Sequence, residues 1–198
     1  TSELAIDLCG DQAGGNHGVC MALPMALALV ASLVSLGLPP PPAVETDCGV
    51  VIGITTSGPA SCNVFRSIPY SVPPTGPHRW QPPRSLVQAG RCWAPARLNA
   101  TTFRPVCFQS PKQAYVTSES EDCLHLTVWQ PHSVARNASA LADVIVFFHG
   151  GDLTFGSANF YDMSLLAADG SVVVVSVNYR LNLFGFLAAK ELAEAERN

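Results

Sequence analysis

Apolar and polar positions change period along this chain, and the changes delimit its elements. Leu124–Trp129 (LHLTVW) alternates with period two, the pattern of a half-buried strand. Val144–Phe148 (VIVFF) and Val172–Val177 (VVVVSV) are unbroken apolar runs, as strands buried on both faces of a helix-covered sheet read. Between them, Phe160–Ala168 is long enough for a short crossover helix, ended by Asp169-Gly170. Phe184–Arg197 is rich in Ala, Leu, Glu and Lys and predicts a helix. Upstream, Val50–Ile54 is a short β-branched run closed by turn residues. Residues 69–83 carry six prolines, which excludes helix and central strand and leaves an ordered wrapping loop. Strand, crossover helix and strand in this order predict an α/β fold.

The N-terminal segment follows none of these periods. Residues 1–20 show no apolar repeat, and Met21–Gly37 is an apolar run followed by Leu38 and four prolines, Pro39–Pro42. An apolar stretch of this length with small residues behind it reads as a secretory signal, cut near Gly37–Leu38 or at Ala43–Val44. No basic residue precedes it. A retained membrane anchor is the competing reading, because Met21–Leu38 reaches the lower length limit for a span. The signal reading is favoured, with residues 1–20 as a leader foreign to the natural product, 21–43 as signal and Pro-rich spacer, and 44–198 as the folded portion. The expected location is secreted or on the extracellular face.

Composition supports export and removes other classes. The 198 residues carry 11 Lys+Arg against 15 Asp+Glu, a net charge of −4, and 13% charged residues. That is about half the usual charged share, so disorder is excluded, and with no basic residue before Arg66 a nucleic-acid partner is excluded too. Five cysteines (Cys48, Cys62, Cys92, Cys107, Cys123) follow the apolar run, none in a CxxC pair, so neither a metal site nor any cofactor is implied. An odd number leaves one thiol free or paired outside the sequence. Asn99-Ala-Thr and Asn137-Ala-Ser are glycosylation sequons in polar stretches.

His149-Gly150-Gly151-Asp152 directly follows the first apolar run. Glycines at the carboxyl end of a strand let backbone approach a ligand closely, since no Cβ intervenes. N–H groups exposed there can hydrogen-bond an oxyanion as it forms in acyl transfer. Taken alone, the same doublet is more often a plain tight turn.

Several segments in order give the doublet its setting. FRSIPYSVPPTGPHRWQPP (Phe65–Pro83), EDCLHLTVWQP (Glu121–Pro131), VIVFFHGGDLTFGS (Val144–Ser157) and VVVVSVNYRLNLFGFL (Val172–Leu187) resemble the carboxylesterase/cholinesterase family of α/β-hydrolases in sequence and spacing. The resemblance covers residues 48–198. It implies the N-terminal part of an α/β-hydrolase fold, a mixed, mostly parallel central sheet with covering helices, ending before the strand-to-helix elbow that carries the G-x-S-x-G serine. No G-x-S-x-G occurs in the 198 residues, so none of the Ser–acid–His triad is expected among them and the chain alone is expected to be inactive.

By the same resemblance, the backbone N–H groups of Gly151 and Asp152 form the oxyanion hole, with His149 and Gly150 as supporting turn; His149 is not the general base. The third position of the family's glycine triplet is Asp152 here, and its carboxylate opposes a developing negative charge. Cys107 and Cys123 match the family's first disulfide; closing 15 intervening residues stabilises by about 3 kcal/mol in the chain-entropy model. Partners for Cys48, Cys62 and Cys92 stay open. Arg79 and Glu121 resemble the family's buried ion pair, and Asn178-Tyr179-Arg180 a scaffold element. The Cys107–Cys123 loop holds Tyr115 as its one aromatic residue, where cholinesterases use Trp against quaternary ammonium, so choline esters are disfavoured. The implied function is hydrolysis of small carboxylic esters. The alternative is a non-catalytic member that binds a protein partner.

Overall fold

The computed structural model describes residues 39–136 and 141–190. Contacts divide the chain into Thr1–Pro40 and Pro41–Asn198. The apolar run Met21–Leu38 and Asn137 lie outside the described residues. Of the helix expected over Phe184–Arg197, 191–197 lie outside them too. The described part corrects that expectation, since the helix there starts at Asn182, ends at Phe186 and gives way to extended backbone at Leu187. No helix among the described residues is long and apolar enough to cross a membrane.

Two sheets share the apolar residues. β1 (Ala43–Thr46) and β2 (Gly49–Ile52) form an antiparallel hairpin, and β5 (Leu98–Asn99) runs parallel to β2. The main sheet has the order β3 (Ile54–Thr55), β4 (Cys62–Pro69), β8 (His125–Pro131), β10 (Val173–Val177), β9 (Val144–Phe148). β6 (Val106–Cys107) and β7 (Glu119–Ser120) form a short parallel pair at the base of a disulfide loop. Among the described residues the α-helices are short: α1 (His132–Ala135), α2 (Ser164–Gly170) and α3 (Asn182–Phe186).

The main sheet is mixed, as expected, but not mostly parallel among the described residues. β3/β4, β4/β8 and β8/β10 are antiparallel; only β9/β10 is parallel. Parallel neighbours require a crossover, and α2 supplies the single strand–helix–strand unit described here. The crossover helix begins later than expected, at Ser164, and includes Gly170; Ser171 at φ 51° ends it in the left-handed region.

α2 covers one face of the sheet. Ala167 and Met163 pack on Cys62, Val64, Trp129 and Val174. The opposite face meets the small sheet through Val51, Phe65 and Ala100, with Trp93, Leu98 and Val128 around them. β8 does alternate, but its more buried phase is His125, Thr127, Trp129 and Pro131 rather than the apolar Leu126 and Val128. α2 packs on Trp129, while the Thr127 hydroxyl accepts from Ser67 N–H at 3.4 Å and the His125 ring meets Arg104 at 3.2 Å.

Phe147 apart, β9 departs from its expectation. Val144, Ile145, Val146 and Phe148 are 57, 40, 51 and 64% exposed, because β9 has a neighbour on one side alone. Its apolar sequence is that of an interior strand and its described position is an edge.

The open cysteine question resolves plainly. Cys48 pairs with Cys92 and Cys107 with Cys123, while Cys62 is free and fully buried against Val64 and Trp129. The Cys48–Cys92 bridge sits with Val72, Leu86 and Trp93 and fastens the Pro-rich wrap to the hairpin.

Candidate functional site

The turn His149–Asp152 leaves the carboxyl end of β9, beside the carboxyl end of its parallel neighbour β10. Its shape follows from which carbonyls are engaged. The His149 carbonyl accepts the Tyr179 hydroxyl at 2.6 Å. The Gly150 carbonyl accepts from His149 Nδ1 at 2.9 Å. The Gly151 carbonyl accepts three donors: Thr154 N–H at 2.9 Å, Phe155 N–H at 3.0 Å and Thr154 Oγ1 at 3.1 Å. A trans peptide aims its N–H opposite to its C=O. With the carbonyls of Gly150 and Gly151 drawn into the turn, the N–H groups of Gly151 and Asp152 face out of it. Neither N–H meets an acceptor among the described residues. Two unpaired donors side by side at a strand end are what an oxyanion needs.

The two glycines differ. Gly151 has φ 117°, and a Cβ there would lie 2.0 Å from the Phe155 carbonyl oxygen, so only glycine fits. A Cβ on Gly150 would meet nothing within 4 Å. Asp152 and Leu153 follow at φ 52° and 59°, left-handed conformations that Asp tolerates and Leu rarely takes. The Asp152 side chain is exposed and makes no hydrogen bond or ion pair with another described residue.

Buried partners hold this strained turn. The His149 ring stacks on the Tyr179 ring at 4.5 Å. Burial pushes the His149 pKa down, against the opposing pull of its bond to Gly150, and so keeps the imidazole neutral with Nδ1 as donor. Asn178, buried, accepts from Ser157 Oγ and Ala158 N–H, both at 2.9 Å, and donates to Asn159 at 3.1 Å. Its carbonyl accepts the Tyr70 hydroxyl at 2.8 Å, and burial pushes that phenol up to about 12. The Asn178-Tyr179-Arg180 element thus binds the turn to the wrap, with Arg180 reaching the Gln81 carbonyl at 3.0 Å.

Two residues that the sequence did not single out complete the frame. Gln109, buried just past Cys107, donates to Gly156 O and accepts from Gly156 N–H, both at 3.2 Å. Asn182 donates its N–H to Leu153 O at 2.9 Å and Nδ2 to Thr154 O at 2.7 Å. A polar residue just past Cys107 (Gln109) and an Asn within the apolar stretch 181–187 (Asn182) are the only signals either leaves in the sequence.

Arg79 and Glu121 do form a pair. Arg79 Nε donates to Glu121 at 2.6 Å, and a second guanidinium nitrogen bonds the other carboxylate oxygen. The carboxylate raises the Arg79 pKa, chiefly through the hydrogen bond. The expectation of a buried pair needs correcting on the arginine side: the Arg79 side chain is 41% exposed, the Glu121 side chain 14%. The guanidinium lies over the rings of Trp80 and Phe184, its carbon 5.5 and 5.8 Å from their centroids. Tyr115 is exposed and meets Phe160 edge-on at 4.7 Å. Asn99 is exposed at the end of β5, its Oδ1 accepting from Thr101 N–H and Oγ1, which leaves its amide nitrogen outward. Among the described residues no group of three or more His, Cys, Asp or Glu side chains converges to hold a metal ion.

A strand–crossover–strand unit that presents two outward N–H donors at its carboxyl edge has the framework of an acyl-transferring α/β-hydrolase. The chain belongs to the carboxylesterase family, whose model matches residues 40–198. It is 33% identical to carboxylesterase 1E of Mus musculus over 187 residues, 86% of this chain and 32% of that protein. It is 34% identical to liver carboxylesterase of Sus scrofa over 184 residues, 84% of this chain and 31% of that protein. With acetylcholinesterase-1 of Trittame loki it shares 37% identity over 158 residues, 74% of this chain and 27% of that protein. The chain spans about a third of the length of these curated relatives.

Proposed function

We propose that this chain supplies the oxyanion donors and the leading part of the sheet to an exported carboxylic-ester hydrolase, whose nucleophilic serine, acid and histidine lie outside these 198 residues. The observation that carries the reading is the outward pair of N–H groups at Gly151 and Asp152, set by the inward carbonyls of Gly150 and Gly151. In the whole protein, a serine attacks the ester carbonyl, the pair receives the oxygen as it becomes negative, and water activated by the histidine hydrolyses the acyl-enzyme. Each such donor contributes about 10²–10³ in kcat. The substrate is a small ester without a cationic alcohol, since Tyr115, not tryptophan, is the aromatic residue of the disulfide loop. Export is supported by two disulfides and by the sequon at the exposed Asn99; Asn137 carries the second sequon, and the signal is placed at 21–37.

Asp152 favours a second reading, a non-catalytic member that binds a protein partner. At about 5 Å its carboxylate opposes an oxyanion by roughly 3 kcal/mol at an effective dielectric near 20, falling to about 1 kcal/mol when fully hydrated. One experiment separates the readings. The whole protein is incubated with a fluorophosphonate and assayed on a simple aryl ester. Hydrolysis together with covalent labelling of one serine outside these residues supports the hydrolase. Absence of both in folded protein assigns the chain to the binding class. In the active case, Asp152→Gly raises kcat roughly five- to hundredfold by that range of repulsion; an unchanged or lower kcat refutes the electrostatic part.

A further inference from the structure

We propose that Asn182 is a positioning residue for the oxyanion donors, acting through two parallel paths of two peptide planes each that converge on Gly151 O; the proposal rests on the hydrolase reading above. Asn182 holds two carbonyls of the turn. Its backbone N–H bonds Leu153 O at 2.9 Å and its Nδ2 bonds Thr154 O at 2.7 Å. Ser110 N–H shares the second carbonyl at 3.2 Å.

Each of those carbonyls is one end of a rigid peptide plane whose other end is the N–H of the next residue. The Leu153 plane ends in Thr154 N–H and the Thr154 plane in Phe155 N–H. Both N–H groups terminate on Gly151 O, at 2.9 and 3.0 Å. Gly151 C=O is in turn the far end of the plane that carries Asp152 N–H. A displacement at Asn182 therefore reaches the donor through planes that cannot bend, linked at torsions the hydrogen bonds fix. Asn182 itself stands two bonded planes away from the donor and acts on it only through backbone.

Strain gives the clamp something to hold. Leu153 lies at φ 59°, a conformation a leucine keeps only when its neighbours impose it. Released, it relaxes toward negative φ and carries the adjoining Asp152 amide with it. The residue type at 182 fits the task. Asn182 is itself at φ 52°, a region open to glycine, asparagine and aspartate. Of these three, asparagine alone carries a side-chain donor for the Thr154 carbonyl. Aspartate would set a carboxylate against that carbonyl, and glycine would leave it to Ser110.

The test uses the whole protein, as wild type, Asn182→Asp and Asn182→Gly. Both variants keep the left-handed backbone and the N–H to Leu153 and remove the Nδ2 bond; Asn182→Asp adds a carboxylate facing the Thr154 carbonyl, and Asn182→Gly is the variant without that repulsion. Amide hydrogen exchange is followed over residues 149–156 and over β8 and β10, and single-turnover acylation is followed with p-nitrophenyl butyrate. The expected result is exchange about tenfold faster in the turn with β8 and β10 unchanged, a population shift local opening makes accessible. Acylation slows about tenfold with KM within twofold, a fraction of the loss from deleting a donor outright. Unchanged turn exchange in both variants overturns the proposal. So does faster exchange without slower acylation, and so does acceleration that spreads equally through β8 and β10, which is loss of stability rather than of position. A wild type that never acylates defeats the hydrolase reading separately, and the exchange pattern then decides the clamp by itself.

Discussion

Adjacent glycines in the turn should respond oppositely to the same substitution. At Gly151, alanine must adopt φ 117° and place its Cβ 2.0 Å from the Phe155 carbonyl oxygen. Backbone strain of that kind costs about 1–3 kcal/mol. Relief by moving the turn breaks the bonds from Thr154 and Phe155 to Gly151 O, roughly 0.5–1.5 kcal/mol each. Together these give a loss of about 2–6 kcal/mol for Gly151→Ala. At Gly150 φ is not positive and a Cβ meets open space. Gly150→Ala therefore stabilises by about 0.4–1 kcal/mol, through the narrower unfolded ensemble. At roughly 2–4 °C per kcal/mol for a domain of this size, the two midpoints should stand about 5 °C apart or more. Thermal melts followed by circular dichroism measure this directly. Equal shifts for the two variants would refute the assignment of conformations in the turn.

Three further outcomes are expected. Cys62→Ser places a hydroxyl in an apolar site, with Thr56 Oγ1 at 3.8 Å from the sulfur as its nearest partner, and costs about 1–2 kcal/mol in urea melts; no loss refutes the burial. Peptide mapping without reduction should link Cys48 to Cys92 and Cys107 to Cys123 and find Cys62 as a thiol. Stability should fall as pH drops from 6.5 toward about 4. Burial pushes His125 down from 6.5 to about 4, helped by Arg104 and opposed by Asp122, so the unfolded chain binds the extra proton throughout that window. The loss approaches roughly 3 kcal/mol, His149 acts with the same sign, and His125→Gln should flatten the profile; parallel profiles for variant and wild type refute this.

Periodicity disclosed which segments are strands, not where each lies in the sheet. VIVFF has the composition of an interior strand, yet β9 is an edge among the described residues, because sequence encodes a strand's intended environment and not which neighbours are present. In β8 the period was legible and the buried phase was not. His125 and Thr127 are buried with partners from elsewhere in the chain, Arg104 at the His125 ring and Ser67 N–H at the Thr127 hydroxyl, which hydrophobicity cannot anticipate. The crossover helix and the glycine doublet were legible because each is local. The frame around the doublet was not: Gln109 lies 47 residues from Gly156, and Asn182 28 residues from Thr154. Polar contacts at such separations leave no repeat. The Pro-rich wrap was legible as a loop, while its fastening through Cys92 and Arg180 appears only in three dimensions.

The two bridges neither interleave nor enclose one another: 48 to 92 is complete before 107 begins. Were the chain to enter an oxidising compartment amino end first, the first bridge could close before the sulfurs of the second arrived, and the order of emergence would sort the pairs. Cys62 is the one rival inside the first loop. Its place beneath α2 beside Trp129 withdraws it from exchange once the sheet closes, and burial does there the proofreading that spacing along the chain does for the rest.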